Sequence, residues 1–116
     1  MFVQIVQFKL KPDTSRDVFL DLTQQMIALL KGRTGFIAYE LYESSDGWSD
    51  RIVWENQQSA QDGLKDFLTT AIAQELISLV EDDYNSFFGQ AIVSAHAEPS
   101  KPTLRSNETP QIQDYS

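Results

Sequence analysis

The sequence predicts an α+β domain of ferredoxin-like order, β-α-β-β-α-β, with a four-stranded antiparallel sheet. Three observations carry this. Four short segments rich in branched and aromatic residues alternate with stretches whose apolar residues recur at intervals of three and four. Ser44-Ser45-Asp46-Gly47 joins two of those segments directly, as a hairpin does. At 116 residues, the chain has room for one domain.

Met1 to Leu10 reads as the first strand, with Phe2, Gln4, Val6 and Phe8 on one face and Val3, Ile5 and Gln7 on the other. Apolar groups on both faces predict cover on both sides, and Lys11-Pro12 ends the run because proline cannot donate to a ladder. Asp13-Thr14 offers a helix N-cap with Asp17 as a weak capping box. Phe19, Leu22, Met26, Leu29 and Leu30 then form one apolar stripe, and Gly32 suits the C-cap.

Phe36 to Glu43 reads as the second strand, Phe36, Ala38, Glu40 and Tyr42 alternating with Ile37, Tyr39 and Leu41. Asp50 to Glu55 is the return strand. Ser59 with Asp62 resembles a second capping box, and a helical stripe runs from Ala60 to Val80. Thr69-Thr70 should break it into two shorter helices, since such residues favour caps over interiors. Ser86 to Ala95 reads as the last strand. The domain is therefore placed at 1–96, with 97–116 a polar C-terminal tail whose composition alone favours disorder.

The totals narrow the function. The net charge of −8 and nine scattered basic residues argue against nucleic acid, because neutralising phosphates needs clustered Lys and Arg. No cysteine is present, so thiolate chemistry and zinc-finger sites are excluded. One histidine and no regular carboxylate spacing give no metal site; Glu81-Asp82-Asp83 lacks the alternation of a calcium loop. No segment has the length or flanks of a membrane span or a signal peptide, so a cytoplasmic protein without membrane contact is expected.

If helices cover one face of the sheet, apolar residues on the other face of strands one, two and four remain unburied. About eight such side chains, at roughly 1.5–3 kcal/mol each, leave on the order of 12–24 kcal/mol unclaimed. Packing two sheets face to face about a two-fold axis would recover it, which predicts a homodimer through the sheet faces.

Three stretches carry a family resemblance. Val3-Gln-Ile-Val-Gln-Phe-Lys-Leu-Lys-Pro12 is similar to the first strand of the dimeric α/β-barrel superfamily. Gly35-Phe36-Ile-Ala-Tyr-Glu-Leu-Tyr42 and Asp50-Arg-Ile-Val-Trp54-Glu-Asn resemble its second and third strands. Within it, the chain resembles antibiotic-biosynthesis-monooxygenase-like domains over about residues 1–95. The resemblance implies a dimeric α/β barrel. It also implies chemistry ranging from cofactor-independent oxygenation of phenols and quinols to haem degradation and isomerisation. Two departures limit it: Asp62-Gly-Leu-Lys-Asp-Phe-Leu-Thr-Thr70 carries no helix histidine, and Gln4 and Gln7 stand where haem-degrading members have asparagine. No cofactor is implied.

The candidate site residues follow from chemistry and place. Glu40 is the general-base candidate if it faces a dry cavity, and a solvated partner of Arg51 if it does not. Tyr39 could donate to a developing oxyanion. Tyr42 lies on the opposite face, so only one of the two phenols can enter a shared cavity. Trp54 offers a wall for a flat substrate or a packed core ring. Gln4 is an amide in an apolar strand and needs a partner, protein or ligand. His96 reads as a surface imidazole. Two functions remain: an uncharacterised monooxygenase-like or isomerase-like enzyme acting without cofactor on a small flat aromatic or quinol, or a non-catalytic homodimeric domain binding a small ligand. A cavity lined by aromatics and at least two polar groups would favour the enzyme.

Overall fold

The computed structural model describes residues 1–97. Its elements are β1 (Phe2–Phe8), α1 (Arg16–Lys31), β2 (Phe36–Ser44), β3 (Gly47–Trp54), α2 (Gln57–Phe67), α3 (Ala71–Leu79) and β4 (Asn85–Gln90). The strands form one antiparallel sheet in the order β2-β3-β1-β4. This is the ferredoxin-like arrangement that the alternating patterns predict. The tail read beyond Ala97 lies outside the described residues.

The helix starts differ from expectation for local reasons. Pro12 and Asp13 are consumed by a turn that the Thr14 amide closes onto the Lys11 carbonyl (3.2 Å). Asp13 sits there at φ 65, the left-handed position that such a turn requires. The N-cap therefore falls to Ser15, whose hydroxyl accepts the Val18 amide at 3.2 Å. At α2 the cap is Asn56, accepting from the Ser59 amide at 2.8 Å, so Ser59 and Asp62 lie inside the helix. The break at Thr69-Thr70 is present: the Thr70 hydroxyl caps α3 through the Ala73 amide (3.1 Å).

The strands shift too. Ser44 pairs directly with Gly47 across a two-residue turn, so β3 begins at Gly47 and takes in Trp48 and Ser49. β4 ends at Gln90, short of the expected Ala95; its pairing with β1 is used up where the Ala91 amide meets the Met1 carbonyl (2.8 Å). A bulge lies in β2, where Phe36 pairs with Trp54 but Ala38 pairs with Val53, leaving Ile37 as the extra residue. Phe36 thereby joins Tyr39 and Leu41 on one face, where strict alternation would place it with Ala38 and Glu40.

The helices cover the face that carries Phe2, Gln4, Ile52, Trp54 and Tyr39. Phe19, Leu22, Met26 and Leu30 of α1, Ala60 of α2 and Leu76 of α3 close the core over it. Thr23 takes the buried place expected for Leu29, its hydroxyl satisfied by the Phe19 carbonyl at 2.9 Å. Trp54 is 1% exposed, edge-on to Phe36 at 5.9 Å. Gly63 of α2 lies directly on the indole, where any Cβ would overlap the ring. The outer face is apolar at one end only. Val3, Ile5, Val53 and Phe87 occupy that end, while Gln7, Glu40, Tyr42, Ser49, Arg51 and Asn85 make the other polar. The unburied apolar surface is therefore smaller than the uniform face the alternation predicts.

Candidate active site

Helices and sheet do not fill the space between them. A cavity of about 430 Å³ remains, floored by all four strands and roofed by all three helices. Phe8, Phe19, Phe67 and Phe88 contribute aromatic walls, with Met26 and Leu76 among the aliphatic ones. Phe8 and Phe19 meet edge-on at 5.9 Å, and Trp48 continues the cluster at 5.0 Å from Phe19. The rim is the segment after α3, where Glu81, Asp82 and Tyr84 line the opening. This segment is anchored at one side: the Glu81 amide donates to the Lys9 carbonyl (2.9 Å), and Val80 bridges to Leu10.

Gln4, Tyr39 and Trp54 all line the cavity, on β1, β2 and β3. Gln4 is 5% exposed and makes no side-chain hydrogen bond among the described residues. An amide so placed is left to a ligand or water. Trp54 Nε1 is likewise buried without an acceptor. Tyr39 donates its hydroxyl to Asp50 Oδ2 at 3.0 Å. Burial, with the Asp50 charge added, pushes the phenol far above its ordinary value, so it remains a donor.

Glu40 and Tyr42 are not part of this cavity. They lie on the outer face, where Arg51 Nη1 pairs with Glu40 Oε1 at 2.7 Å and the Tyr42 hydroxyl donates to the same carboxylate. Those two hydrogen bonds hold the Glu40 carboxyl below the ordinary range, the opposite of what a general base needs. The structural alternative for Glu40, pairing with Arg51, is the one that the register produces. His96 follows β4 and is exposed.

One cavity residue escaped the sequence. Asp50 looks like the polar start of a strand, yet β3 begins three residues earlier, which puts Asp50 in its middle beside Val6 and Leu41. Burial pushes its carboxyl up from 3.8 to about 6, against the hydrogen bond from Tyr39 and a weaker effect of the Val6 backbone. Its Oδ1 is buried without a hydrogen-bond partner. The available signal was the period: Asp50, Ile52 and Trp54 share a face, and that face is apolar.

No protein-family model matches the chain, and no curated protein matches it in sequence. Solved structures do match in fold. A variant of SnoaB, a cofactor-independent oxygenase from Streptomyces nogalater, superposes with a TM-score of 0.68 at 16% identity, over 80% of this chain and 94% of that one. A protein described as an antibiotic biosynthesis monooxygenase gives 0.60 at 17%, over 80% and 100%. At3g17210 from Arabidopsis thaliana gives 0.69 at 9%, over 83% and 100%. The chain thus shares the ferredoxin-like α+β fold of these structures. No helix among the described residues is long and apolar enough to cross a membrane.

Proposed function

We propose that this protein is a monooxygenase-like enzyme that takes a small flat aromatic, phenol or quinol into the helix-sheet cavity and acts on it without a cofactor. The observation that carries this is the cavity itself: about 430 Å³, walled by aromatic rings, with the Gln4 amide and the Tyr39–Asp50 pair on its floor. Those are the dimensions and make-up of a small-molecule site. Two of the fold neighbours are described as an oxygenase and a monooxygenase, which agrees with it. In such chemistry, removing a proton leaves an electron-rich substrate that dioxygen oxidises; one oxygen atom enters the product and the other leaves as water. The protein's part is to hold the ring, exclude bulk water and manage the proton.

The working unit in this proposal is a homodimer. Phe87 on the outer face is 60% exposed, and Ile92 and Val93 just after β4 are 86% and 88% exposed. Together with Val3 and Ile5 they form an apolar end that a second copy of the sheet would cover.

A thermal-shift screen of naphthols, anthrones and hydroquinones, followed by oxygen-electrode measurements with stabilising compounds, tests the reading. The expected result is stabilisation by at least one aromatic class together with protein-dependent oxygen uptake. Stabilisation without turnover would favour the binding domain. No stabilisation by any of them would sink the cavity reading.

A further inference from the structure

Asp50 is costly where it stands. It lies mid-strand on the helix-covered face, with apolar Val6 and Leu41 directly opposite on the two neighbouring strands. One carboxylate oxygen has a fixed partner, the Tyr39 hydroxyl at 3.0 Å; the other, also screened from bulk water, has none. A buried acceptor without a donor loses hydration and regains nothing in the free protein. A stability-driven strand would place an apolar residue here, as it does at Ile52 and Trp54. Asp50 lines the cavity, but its Oδ1 is closed off from the cavity as well as from bulk water, so a donor on a bound molecule meets that oxygen once the carboxylate turns toward it.

The charges around it restrict that molecule. The other titratable groups lining the cavity are Tyr39 on β2 and Glu81, Asp82 and Tyr84 on the segment between α3 and β4. α1, α2, α3, β1 and β4 contribute none, and no Lys, Arg or His lines the cavity among the described residues. An anionic ligand would meet carboxylates at the rim and on the floor, with no cation to offset them.

We propose that Asp50 is the group that takes the ligand's proton, that Tyr39 is the positioning residue that holds Oδ2 and leaves Oδ1 for the ligand, and that the ligand is an uncharged aromatic bearing an O–H or N–H donor, not an aromatic carboxylate. This rests on the reading that the cavity takes an aromatic. In the step itself the ligand's O–H bond breaks heterolytically. The proton goes to Asp50, and the electron pair stays on the ligand oxygen as a phenolate. No oxidant enters at this stage. Tyr39 cannot be the acceptor, because its own proton is committed to Asp50 and its ionisation is suppressed by burial and by that carboxylate.

The test uses the full chain and four probes: 2-naphthol, naphthalene, 2-naphthoate and 4-nitrophenol, with affinities from calorimetry. At about pH 7.5, wild type should bind 2-naphthol best and 2-naphthoate worst. Asp50→Asn should weaken 2-naphthol about tenfold or more, the usual loss when an ionised acceptor is removed, and leave naphthalene unchanged. Lowering the pH to about 5 should weaken 2-naphthol in wild type but not in Asp50→Asn, because the phenol stays neutral across that range while Asp50 gains its proton. Tyr39→Phe should move the midpoint of this profile upward, since its hydroxyl lowers the Asp50 pKa; a purely structural tyrosine would leave the midpoint in place. Bound 4-nitrophenol should show less of the yellow phenolate in wild type than in Asp50→Asn, because the ionised Asp50 disfavours a second negative charge beside it in the resting complex. If a folded Asp50→Asn binds 2-naphthol as wild type does, while naphthalene still binds, the Asp50 assignment fails and the cavity reading survives. If none of the probes binds wild type, both fail.

Discussion

The Tyr39 hydroxyl reaches across from β2 to Asp50 on β3 and donates to its Oδ2 at 3.0 Å, beneath a roof of helices. The residues are not direct partners in the register: Tyr39 pairs with Ile52 and Asp50 with Leu41. The bond is a diagonal one, within reach of a long side chain on the same face.

This pair makes stability depend on pH in an unusual direction for a carboxylate. The folded-state pKa of Asp50 is raised from 3.8 to about 6, so the native state holds this proton more tightly than the unfolded chain. The contribution is fully present below about pH 4 and is lost as pH rises through about 6. At about 1.4 kcal/mol per pKa unit, the ionised group costs the fold on the order of 3 kcal/mol at neutral pH. Asp50→Asn should therefore stabilise the protein by about 2–3 kcal/mol near pH 7.5 and by little near pH 4, as measured by urea denaturation at both values. Equal effects at the two values would contradict the burial of Asp50.

Gly63→Ala tests how tightly the roof sits on Trp54. The added methyl has no free space over the indole, and Trp54 is too enclosed to move aside. Overpacking of this kind costs typically 1–3 kcal/mol. A lowered denaturation midpoint and an altered tryptophan emission are expected; unchanged values would show that α2 rides higher than described.

Glu40→Gln separates the two faces of β2. The carboxylate is on the outer face with Arg51 and Tyr42, so aromatic binding in the cavity should equal that of wild type. A loss of binding comparable with that of Asp50→Asn would return Glu40 to the site.

Phe87→Asp addresses self-association. A charge in the apolar end of the outer face should halve the mass of a dimer in light scattering at micromolar concentration, with the circular dichroism spectrum retained. A wild-type mass of one chain would remove the dimer altogether.

Much of the fold was legible because its signals are local and periodic: the helix stripes apart from Leu29 and Leu68, the Thr69-Thr70 break and the order of elements stand. The capping errors share one cause. A candidate cap is only a cap if the backbone before it is extended, and the turn at Pro12-Asp13 and the end of β3 at Trp54 decide that. The site was harder. Gln4, Tyr39 and Trp54 announced themselves as polar or aromatic oddities, but whether a residue faces a cavity depends on register, and register is set between strands. Asp50 was missed for the same reason, because a strand boundary misplaced by three residues turns a mid-strand aspartate into the first residue of a strand.

The extra residue at Ile37 therefore governs more than local geometry. With Phe36 held opposite Trp54, an uninterrupted strand would have turned Ala38, Glu40 and Tyr42 toward the helices and Tyr39 and Leu41 away. The bulge thus selects which of two neighbouring acid-base side chains is offered to a ligand. Deleting Ile37 would make the ladder regular and leave Tyr39 opposite Ile52 on the helix side, whereas flattening the bulge with Ile37 kept would turn Glu40 inward. Two cavity chemistries are encoded side by side in this strand, and the bulge chooses between them.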